Sequence, residues 1–367
     1  MMHSDFSILD LPYGVIPDPD DFLQAAMRWH FGEDTGSPFW LRRRQTLDFD
    51  PLTDVRSYAD LKLFPNVTDE LRDVPVFDLI PRGFGNRPEV VAIIESGGTT
   101  GAPKRLPLLK HFADLMANQM AQGLAASGAD RKPLLAMMPG GPHGALEQTR
   151  RGAALHGVVV FSIDIDPRWV KKELAAGHVG VVQDYTAHLL EQARSVLESY
   201  ELGGLHITPP MLARITEHDD LTELVRNRVQ RINWGGAHMD ADSRFLYRTA
   251  IYPNTALGGG YGTTMALGAG ATERPGLGHD SPCVFDPTFS PYVTLRVVDP
   301  ETGEAVAEGE RGQLVVNHVS KSFLLPNNAE RDMATRIAPA SEQIGDSIAD
   351  ITPQQTFAGV SVVEGVY

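Results

Sequence analysis

Residues 89–105 read EVVAIIESGGTTGAPKR, in which a short apolar run leads into a loop of small and hydroxyl-bearing residues. The run EVVAII is rich in β-branched residues and predicts a buried strand. Glycines let backbone N–H groups converge on a phosphate, while threonine and lysine add donors and positive charge. The residues expected to hold an anion are Ser96, Gly97, Gly98, Thr99, Thr100, Gly101 and Lys104. A solvated surface loop is the alternative interpretation, because the G-x-x-x-x-G-K-[ST] and G-x-G-x-x-G spacings are both absent.

Strands and helices are expected to alternate after this loop. Residues 111–127 predict a helix whose N-terminus points toward the loop, where its dipole favours an anion. Further strands are expected at 133–140, 158–164 and 179–184, each followed by a helical pattern. This order predicts an α/β fold with mainly parallel sheets covered by helices.

The pattern changes near residue 292, where two alternating strands flank a turn region rich in proline, glycine and acidic residues. Residues 292–319 therefore predict a β-hairpin in a small β-rich, barrel-like subdomain. An amphipathic helix is expected at 20–31, in an N-terminal segment that is otherwise broken by prolines. The predicted organisation is a helical and irregular segment at 1–85, α/β subdomains at 86–200 and 201–284, and a β-rich subdomain at 285–367.

Composition excludes several classes of function. The 367 residues carry a formal net charge of −15, which leaves no basic surplus to neutralise nucleic-acid phosphates. A single cysteine, Cys283, cannot form an internal disulfide, so a reducing compartment is expected. The N-terminus lacks a signal pattern, and no apolar run approaches the roughly 20 residues that span a bilayer. We expect a cytoplasmic protein without nucleic-acid or membrane partners.

The loop S-G-G-T-T-G-x-P-K at 96–104 closely resembles the phosphate-binding signature of the adenylate-forming superfamily. That superfamily includes acyl-CoA synthetases, adenylation domains of peptide synthetases, and luciferases. The resemblance implies that the loop holds the β- and γ-phosphates of ATP, with Lys104, Thr99 and Thr100 in catalytic roles. Gly97 stands where these enzymes typically carry serine.

Later segments resemble the nucleotide-binding motifs of the same superfamily, in the expected order. INWGGAHMD at 232–240 resembles the turn that lies against adenine, and GGGYGTTMALG at 258–268 resembles the Y-G-x-T-E motif. By this resemblance the adenylate is bound by Gly235, Gly236, Ala237, Tyr261, Gly262, Thr263 and Thr264. IGDSIAD at 344–350 resembles the segment whose aspartate binds ribose, which assigns Asp346 to the sugar. Tight turns are the alternative interpretation of the G-G-A and G-D segments.

The acid that ends the Y-G-x-T-E motif is replaced by Met265. That acid usually helps to bind Mg²⁺, and a thioether is a poor ligand for a hard cation. ATP and Mg²⁺ are therefore the expected cofactors, but no protein ligand for the metal is assigned.

MMPGGPHGA at 137–145 resembles the segment that precedes a substrate-lining helix, which places His143 at the acyl pocket. A surface histidine is the alternative interpretation. Gly259 and Gly260 are expected to line the same pocket, and the small residues at 140, 141, 144 and 258–260 leave room for a flat aromatic acid.

Full-length members of the superfamily continue past the ribose aspartate into a C-terminal domain, whereas about twenty residues follow Asp346 here, without a lysine. The chain resembles the compact branch of phenylacetate–CoA ligases and acyl-protein synthetases, lacking that domain. In its size and truncation, the chain also resembles an adenylating protein of D-alanylgriseoluteic acid (phenazine) biosynthesis.

The function predicted by these resemblances is adenylation of a carboxylic acid, with the acyl-AMP passed to a separate acceptor or reductase in secondary metabolism. The alternatives are a nucleotide- or acyl-binding protein with reduced catalysis, and an acyl-CoA or acyl-protein ligase that needs a C-terminal domain in trans. The identity of the acid, the acceptor and the oligomeric state are left open, with a dimer as one option.

Overall fold

The structure is a computed structural model that describes residues 6–96, 102–128, 131–340 and 343–353, and the backbone of 356–357 and 360–361. The helices are α1 (Pro19–Phe31), α2 (Pro38–Arg44), α3 (Lys110–Ala126), α4 (Gly144–Leu155), α5 (Pro167–Ala175), α6 (Val179–Ser199), α7 (Pro209–Thr216), α8 (Asp219–Arg228) and α9 (Ala241–Leu246). Short 3₁₀ turns lie before α1, between α2 and α3, and at Thr264–Ala266, and a π-helical turn (Tyr247–Ile251) follows α9.

The strands follow in chain order. They are β1 (Val90–Glu95), β2 (Arg105–Leu109), β3 (Leu134–Met138), β4 (Val160–Asp164), β5 (Gly204–Ile207), β6 (Arg231–Gly235), β7 (Ala256–Gly262), β8 (Gly270–Glu273), β9 (Val284–Pro287), β10 (Val293–Val298), β11 (Arg311–Val319), β12 (Leu324–Ile337), β13 (Ser347–Pro353), β14 (Thr356–Phe357) and β15 (Val360–Ser361). The mixed α/β class predicted from the sequence is confirmed. No helix of the described ranges is long and apolar enough to cross a bilayer.

The chain divides into two compact units, each assembled from separate segments. Unit 1 comprises Met1–Met116, Thr263–Ala271 and Asp286–Val360, and unit 2 comprises Ala117–Gly262, Thr272–Phe285 and Ser361–Tyr367. The four consecutive segments expected from the sequence stay a prediction.

Unit 1 contains antiparallel β-structure. Strands β10, β11, β12 and β13 pair antiparallel in that order, so the β-hairpin predicted over 292–319 is confirmed by β10 and β11. Helix α1 confirms the helix expected at 20–31. It begins because Asp18 accepts hydrogen bonds from the backbone N–H groups of Asp20 and Asp21. Its aromatic residues Phe22 and Phe31 are fully buried.

Unit 2 contains a parallel sheet in the order β7-β6-β5-β3-β4. Part of one face is covered by an apolar cluster in which Leu124 of α3 and Ala153 of α4 pack with Leu134 of β3 and Val158. The parallel sheet and its connecting helices agree with the α/β pattern in the sequence.

One local prediction is wrong, and one strand was not predicted. Residues 179–184, expected as a strand, form the first turns of α6, whose buried residues Leu189, Leu190, Ala193 and Leu197 lie further along the helix. The valines at 179 and 181 are exposed, so burial elsewhere in the helix outweighs their β-propensity. The unpredicted strand is β2, which follows the glycine-rich loop and pairs antiparallel with β1. The helix expected at 111–127 is confirmed by α3, which begins directly after β2.

Candidate active site

The ends of the glycine-rich loop are held together in unit 1. Residues 97–101, and with them the predicted ligands Gly97, Gly98, Thr99, Thr100 and Gly101, lie outside the described residues. At the base of the loop the Ser96 N–H donates to the Lys104 carbonyl at 3.0 Å, and the Lys104 N–H donates to Ser96 Oγ at 3.0 Å. Ser96 and Lys104 therefore continue the β1–β2 pairing, so two of the predicted phosphate-site residues are adjacent.

The Lys104 side chain is buried at the base of this loop. The residue is 8% exposed, and its Nζ lies 3.7 Å from Asp69 Oδ1, a carboxylate that is itself largely solvent-exposed. Burial lowers the pKa of Lys104, while the Asp69 carboxylate opposes that change. A desolvated lysine interacts more strongly with an anion than an exposed one does, because the local dielectric is lower. This geometry suits a cation that contacts phosphate.

A carboxylate that sequence reasoning missed lies beside the Y-G-x-T-E-like segment. Thr263 Oγ1 donates to Glu330 Oε1 at 2.7 Å, and Asn328 Nδ2 donates to the same oxygen at 2.9 Å. Burial, followed by the negative charge of Asp332, raises the pKa of Glu330 to about 7, with opposition from Thr263, Asn328 and Lys104. The predicted nucleotide-site residue Thr263 and the predicted catalytic residue Lys104 thus share one neighbour, Glu330 of β12.

Met265 belongs to the interior of unit 1. It is 5% exposed, and its N–H donates to Thr263 Oγ1 at 3.2 Å, which caps the 3₁₀ turn Thr264–Ala266. Thr264, the predicted phosphate ligand, is half-buried in that turn. A buried thioether packs as an apolar side chain, so this position offers no hard oxygen to a cation.

Asp346 makes hydrogen bonds within the β-structure of unit 1. Its Oδ2 accepts the Val297 N–H at 2.9 Å, its Oδ1 accepts Arg336 Nε at 2.9 Å, and the residue is 6% exposed. These bonds link the start of β13 to β10 and β12. Its assignment to ribose stays a prediction, and any sugar hydroxyl would share oxygens that already accept bonds.

The G-G-A turn and the glycine-rich strand β7 lie side by side in unit 2. Gly235 at the end of β6 pairs with Gly260 of β7, and a Cβ on Gly235 would lie 2.7 Å from the Gly260 carbonyl oxygen. Gly236 adopts a φ of +79°, which other residues rarely tolerate. The structure therefore brings together the G-G-A turn, which ends at Ala237, and the strand that carries Tyr261 and Gly262.

A buried ionic network supports β7 from one side. Glu273 Oε2 accepts the Gly259 N–H at 3.0 Å, and its Oε1 accepts Arg244 Nη1 at 2.6 Å and Arg248 Nη2 at 2.7 Å. Arg248 also donates to the Leu257 carbonyl at 2.9 Å. Because Glu273 and Arg244 are almost fully buried, this network fixes the backbone of the glycine-rich strand, and sequence reasoning missed it.

Gly259 faces protein side chains. A Cβ there would lie 2.6 Å from the Trp234 ring and 3.1 Å from Phe285. The space that this glycine leaves is therefore filled by two aromatic rings, whereas Gly260 on the opposite side of the strand has only the Trp234 carbonyl oxygen near it, at 3.8 Å. Of these two predicted pocket residues, Gly260 is the one with open space.

His143 lies in the loop between β3 and α4, immediately before the helix. Its N–H donates to the Gly141 carbonyl at 2.8 Å. The same loop is anchored by Asp164 at the end of β4, whose Oδ1 accepts the Gly140 N–H at 2.6 Å. The predicted substrate residue is thus at the carboxyl edge of the parallel sheet, where α/β folds place ligands.

Comparison with known proteins shows what this chain is similar to. Residues 173–320 match the family model described as AMP-binding enzyme. The chain is 24% identical over 296 residues to a phenylacetate-coenzyme A ligase of Escherichia coli strain K12, covering 78% of this chain and 60% of the relative. A phenylacetate-coenzyme A ligase of Thermus thermophilus is 25% identical over 298 residues, covering 78% of this chain and 58% of the relative.

Residues 173–320 are therefore similar to AMP-binding enzymes, and the chain is similar to phenylacetate-coenzyme A ligases, of whose length it spans less than two thirds. Its fold resembles that of a 2-hydroxyisobutyryl-CoA ligase solved in an open conformation in complex with 2-HIB-AMP and CoA. The TM-score is 0.62 with 13% identity, covering 91% of this chain and 68% of that one. At this identity the likeness shows the fold alone.

Proposed function

We propose that the chain activates a carboxylic acid with ATP. The substrate carboxylate oxygen attacks the α-phosphorus, the bond from that phosphorus to the bridging oxygen breaks, and the products are acyl-AMP and pyrophosphate. The observation that carries the proposal is Lys104, a buried cation next to Ser96 at the base of the glycine-rich loop. The relation to AMP-binding enzymes and their CoA ligases supports the same reaction.

The residues of this chain would act mainly by charge and position. Lys104 and the loop N–H groups would stabilise negative charge on the leaving pyrophosphate, which is the main demand in phosphoryl chemistry. Gly235, Gly236, Tyr261 and Thr264 would bind AMP, and Asp346 its ribose. His143 and Gly260 would border the acyl group.

Mg²⁺ usually accompanies ATP in such chemistry, but the described residues do not form a protein cage for it. Met265 replaces the expected acid, and the described ranges contain no group of three or more acidic, histidine or cysteine side chains placed to hold a metal. Mg²⁺ commonly binds phosphates and water with few protein ligands, so it would be carried by ATP.

The proposed fate of the product is transfer to a separate acceptor or reductase, with an aromatic acid, such as a phenazine carboxylate, as the substrate. The support is the resemblance to compact acyl-activating enzymes and the position of Gly260, which leaves space on β7. A second candidate, a nucleotide- or acyl-binding protein with weak catalysis, is favoured by the burial of Met265 at the position of the acid.

Carboxylate-dependent ATP–pyrophosphate exchange separates these functions. We expect exchange with one class of acid, and a loss of about 100-fold or more in Lys104→Ala. Lys62→Ala is the matched control, because Lys62 is an exposed lysine of the same unit that pairs with Glu304. ATP binding without exchange for any acid would contradict adenylation and support the binding protein. Acyl-CoA formation by the chain alone would contradict the transfer of acyl-AMP to a partner.

A further inference from the structure

One face of the parallel sheet in unit 2 is partly open over β5, β6 and β7. Parallel sheets are usually buried on both faces. In β6, however, Ile232 and Trp234 are buried while the alternate residues Arg231, Asn233 and Gly235 are partly exposed. The parallel register places His206 of β5 beside Asn233, and Asn233 beside Gly258 of β7. We call this surface the open face; its residues are Gly204, His206, Arg231, Asn233, Gly235, Gly258 and Gly260.

The open face combines missing side chains with polar groups. Arg231 Nη1 lies 3.6 Å from the position that a Cβ on Gly258 would take, and Asn233 Nδ2 lies 3.6 Å from the corresponding position on Gly204. Asn233 Nδ2 and His206 Nε2 are 3.1 Å apart. The Arg231 and Asn233 side chains therefore pack over glycines. Gly260, whose Cβ position has only the Trp234 carbonyl oxygen near it, at 3.8 Å, lets a flat ligand approach the sheet without meeting a β-carbon.

Arg231 is the charged group of this surface. The residue is partly exposed, and its guanidinium makes no hydrogen bond or ion pair with any other residue of the described ranges. Burial lowers the pKa of His206 to about 4, so that imidazole is neutral at pH 7. The open face thus presents one positive charge with five donors and no carboxylate among its own residues.

A separate observation points to a ligand at the carboxyl end of the same surface. Thr208 continues the alternation of Gly204 and His206 beyond β5, and it is 4% exposed. Its Oγ1 is buried without a hydrogen-bond partner in the described chain, and its Cγ2 lies 3.6 Å from the Cβ position of Gly236. A buried hydroxyl left unpaired is costly, and a ligand beside the G-G-A turn would satisfy it.

We propose that the open face binds the body of the acid that the chain activates, and that this acid carries a second anionic oxygen group, bound by Arg231. The inference rests on the proposed function for the identity of the ligand. Arg231 and Gly235 are four residues apart on β6, so their Cα atoms are separated by about 13 Å. If the reactive carboxyl of the substrate lies near the Gly235 turn, the opposite end of the substrate contacts the Arg231 guanidinium when the two ends are about 1 nm apart. An elongated, flat dicarboxylic acid fits this description.

A matched pair of acids tests the charge at the far end. The probes are biphenyl-4,4′-dicarboxylic acid and its half-amide, which share one skeleton and differ in the second carboxylate. Calorimetry without ATP measures binding, and pyrophosphate exchange measures turnover. We expect the diacid to bind about 10- to 100-fold more tightly than the half-amide, the range for a charge-assisted hydrogen bond.

Arg231→Met removes the guanidinium and keeps an extended apolar stem. We expect the ratio of the two affinities to fall to about one in this variant, and to persist in Arg214→Met, which removes an exposed arginine of α7 that pairs with Glu217. Arg231→Lys keeps the charge and is expected to restore part of the preference, which a role confined to folding would not produce.

The outcomes separate this inference from the proposed function. A diacid preference that depends on Arg231, found without exchange, supports the anion site and contradicts adenylation. Exchange that is equal for diacid and half-amide, or a ratio unchanged in Arg231→Met, overturns the anion site and leaves adenylation standing. Failure of the wild-type chain to bind either acid also overturns the anion site.

Discussion

Replacing Glu330 by glutamine should make unit 1 more stable at alkaline pH. Burial and the neighbouring Asp332 raise the pKa of Glu330 from its ordinary 4.5 to about 7 in the folded chain. The folded state therefore binds more protons than the unfolded state between these values, so the free energy of unfolding falls as pH rises from 4.5 to 7. The glutamine cannot lose a proton, and its amide oxygen can still accept from Thr263 and Asn328.

The gap between the two pKa values corresponds to about 3 kcal/mol, at 1.36 kcal/mol for each pH unit. Because the side chain is only partly buried, we expect Glu330→Gln to gain about 1–3 kcal/mol relative to wild type between pH 5 and pH 8. Urea unfolding at the two pH values, followed by tryptophan fluorescence, measures this difference.

Glu308→Gln is the control, because Glu308 is an exposed glutamate in the connection between β10 and β11. The difference in free energy of unfolding between Glu308→Gln and wild type should be the same at pH 5 and pH 8. A difference between Glu330→Gln and wild type that is the same at pH 5 and pH 8 would refute the argument that Glu330 holds its proton because of its surroundings.

Three further substitutions test other parts of the structure. Glu273→Gln leaves the buried Arg244 without its charged partner, so urea unfolding should show a loss of about 3–5 kcal/mol in the free energy of unfolding. The same substitution at an exposed glutamate should not produce this loss. Gly259→Ala places a methyl 2.6 Å from the Trp234 ring, so thermal unfolding should show a loss of about 1–3 kcal/mol; an unchanged midpoint would contradict this packing. Burial lowers the pKa of His318 to about 3, so its contribution to stability is complete above about pH 6.5 and falls as the pH decreases toward 3. His318→Gln should reduce the loss of stability between pH 7 and pH 5, and an unaltered acid dependence would be evidence against it.

The sequence by itself determined the features that depend on local pattern. The β-hairpin of β10 and β11 follows from two alternating strands around a turn region rich in proline, glycine and acidic residues, and α1 follows from helical spacing after an acidic start. The order of the motifs by itself indicates a resemblance to the adenylate-forming superfamily. Residues 179–184 were predicted wrongly because a short valine-rich run gives no information about the burial of later turns, and those later turns hold α6 in place.

Only the tertiary structure decided which distant groups became neighbours. Glu330 is 67 residues from Thr263, and Glu273 is 14 residues from Gly259, so no local pattern connects either pair. The open face likewise depends on the register of three strands, which places His206, Asn233 and Gly258 in one row. The alternation along each strand is encoded locally. Which of its two faces is covered is set by packing between elements far apart in the chain, and that packing left Arg231 without a partner among the described residues.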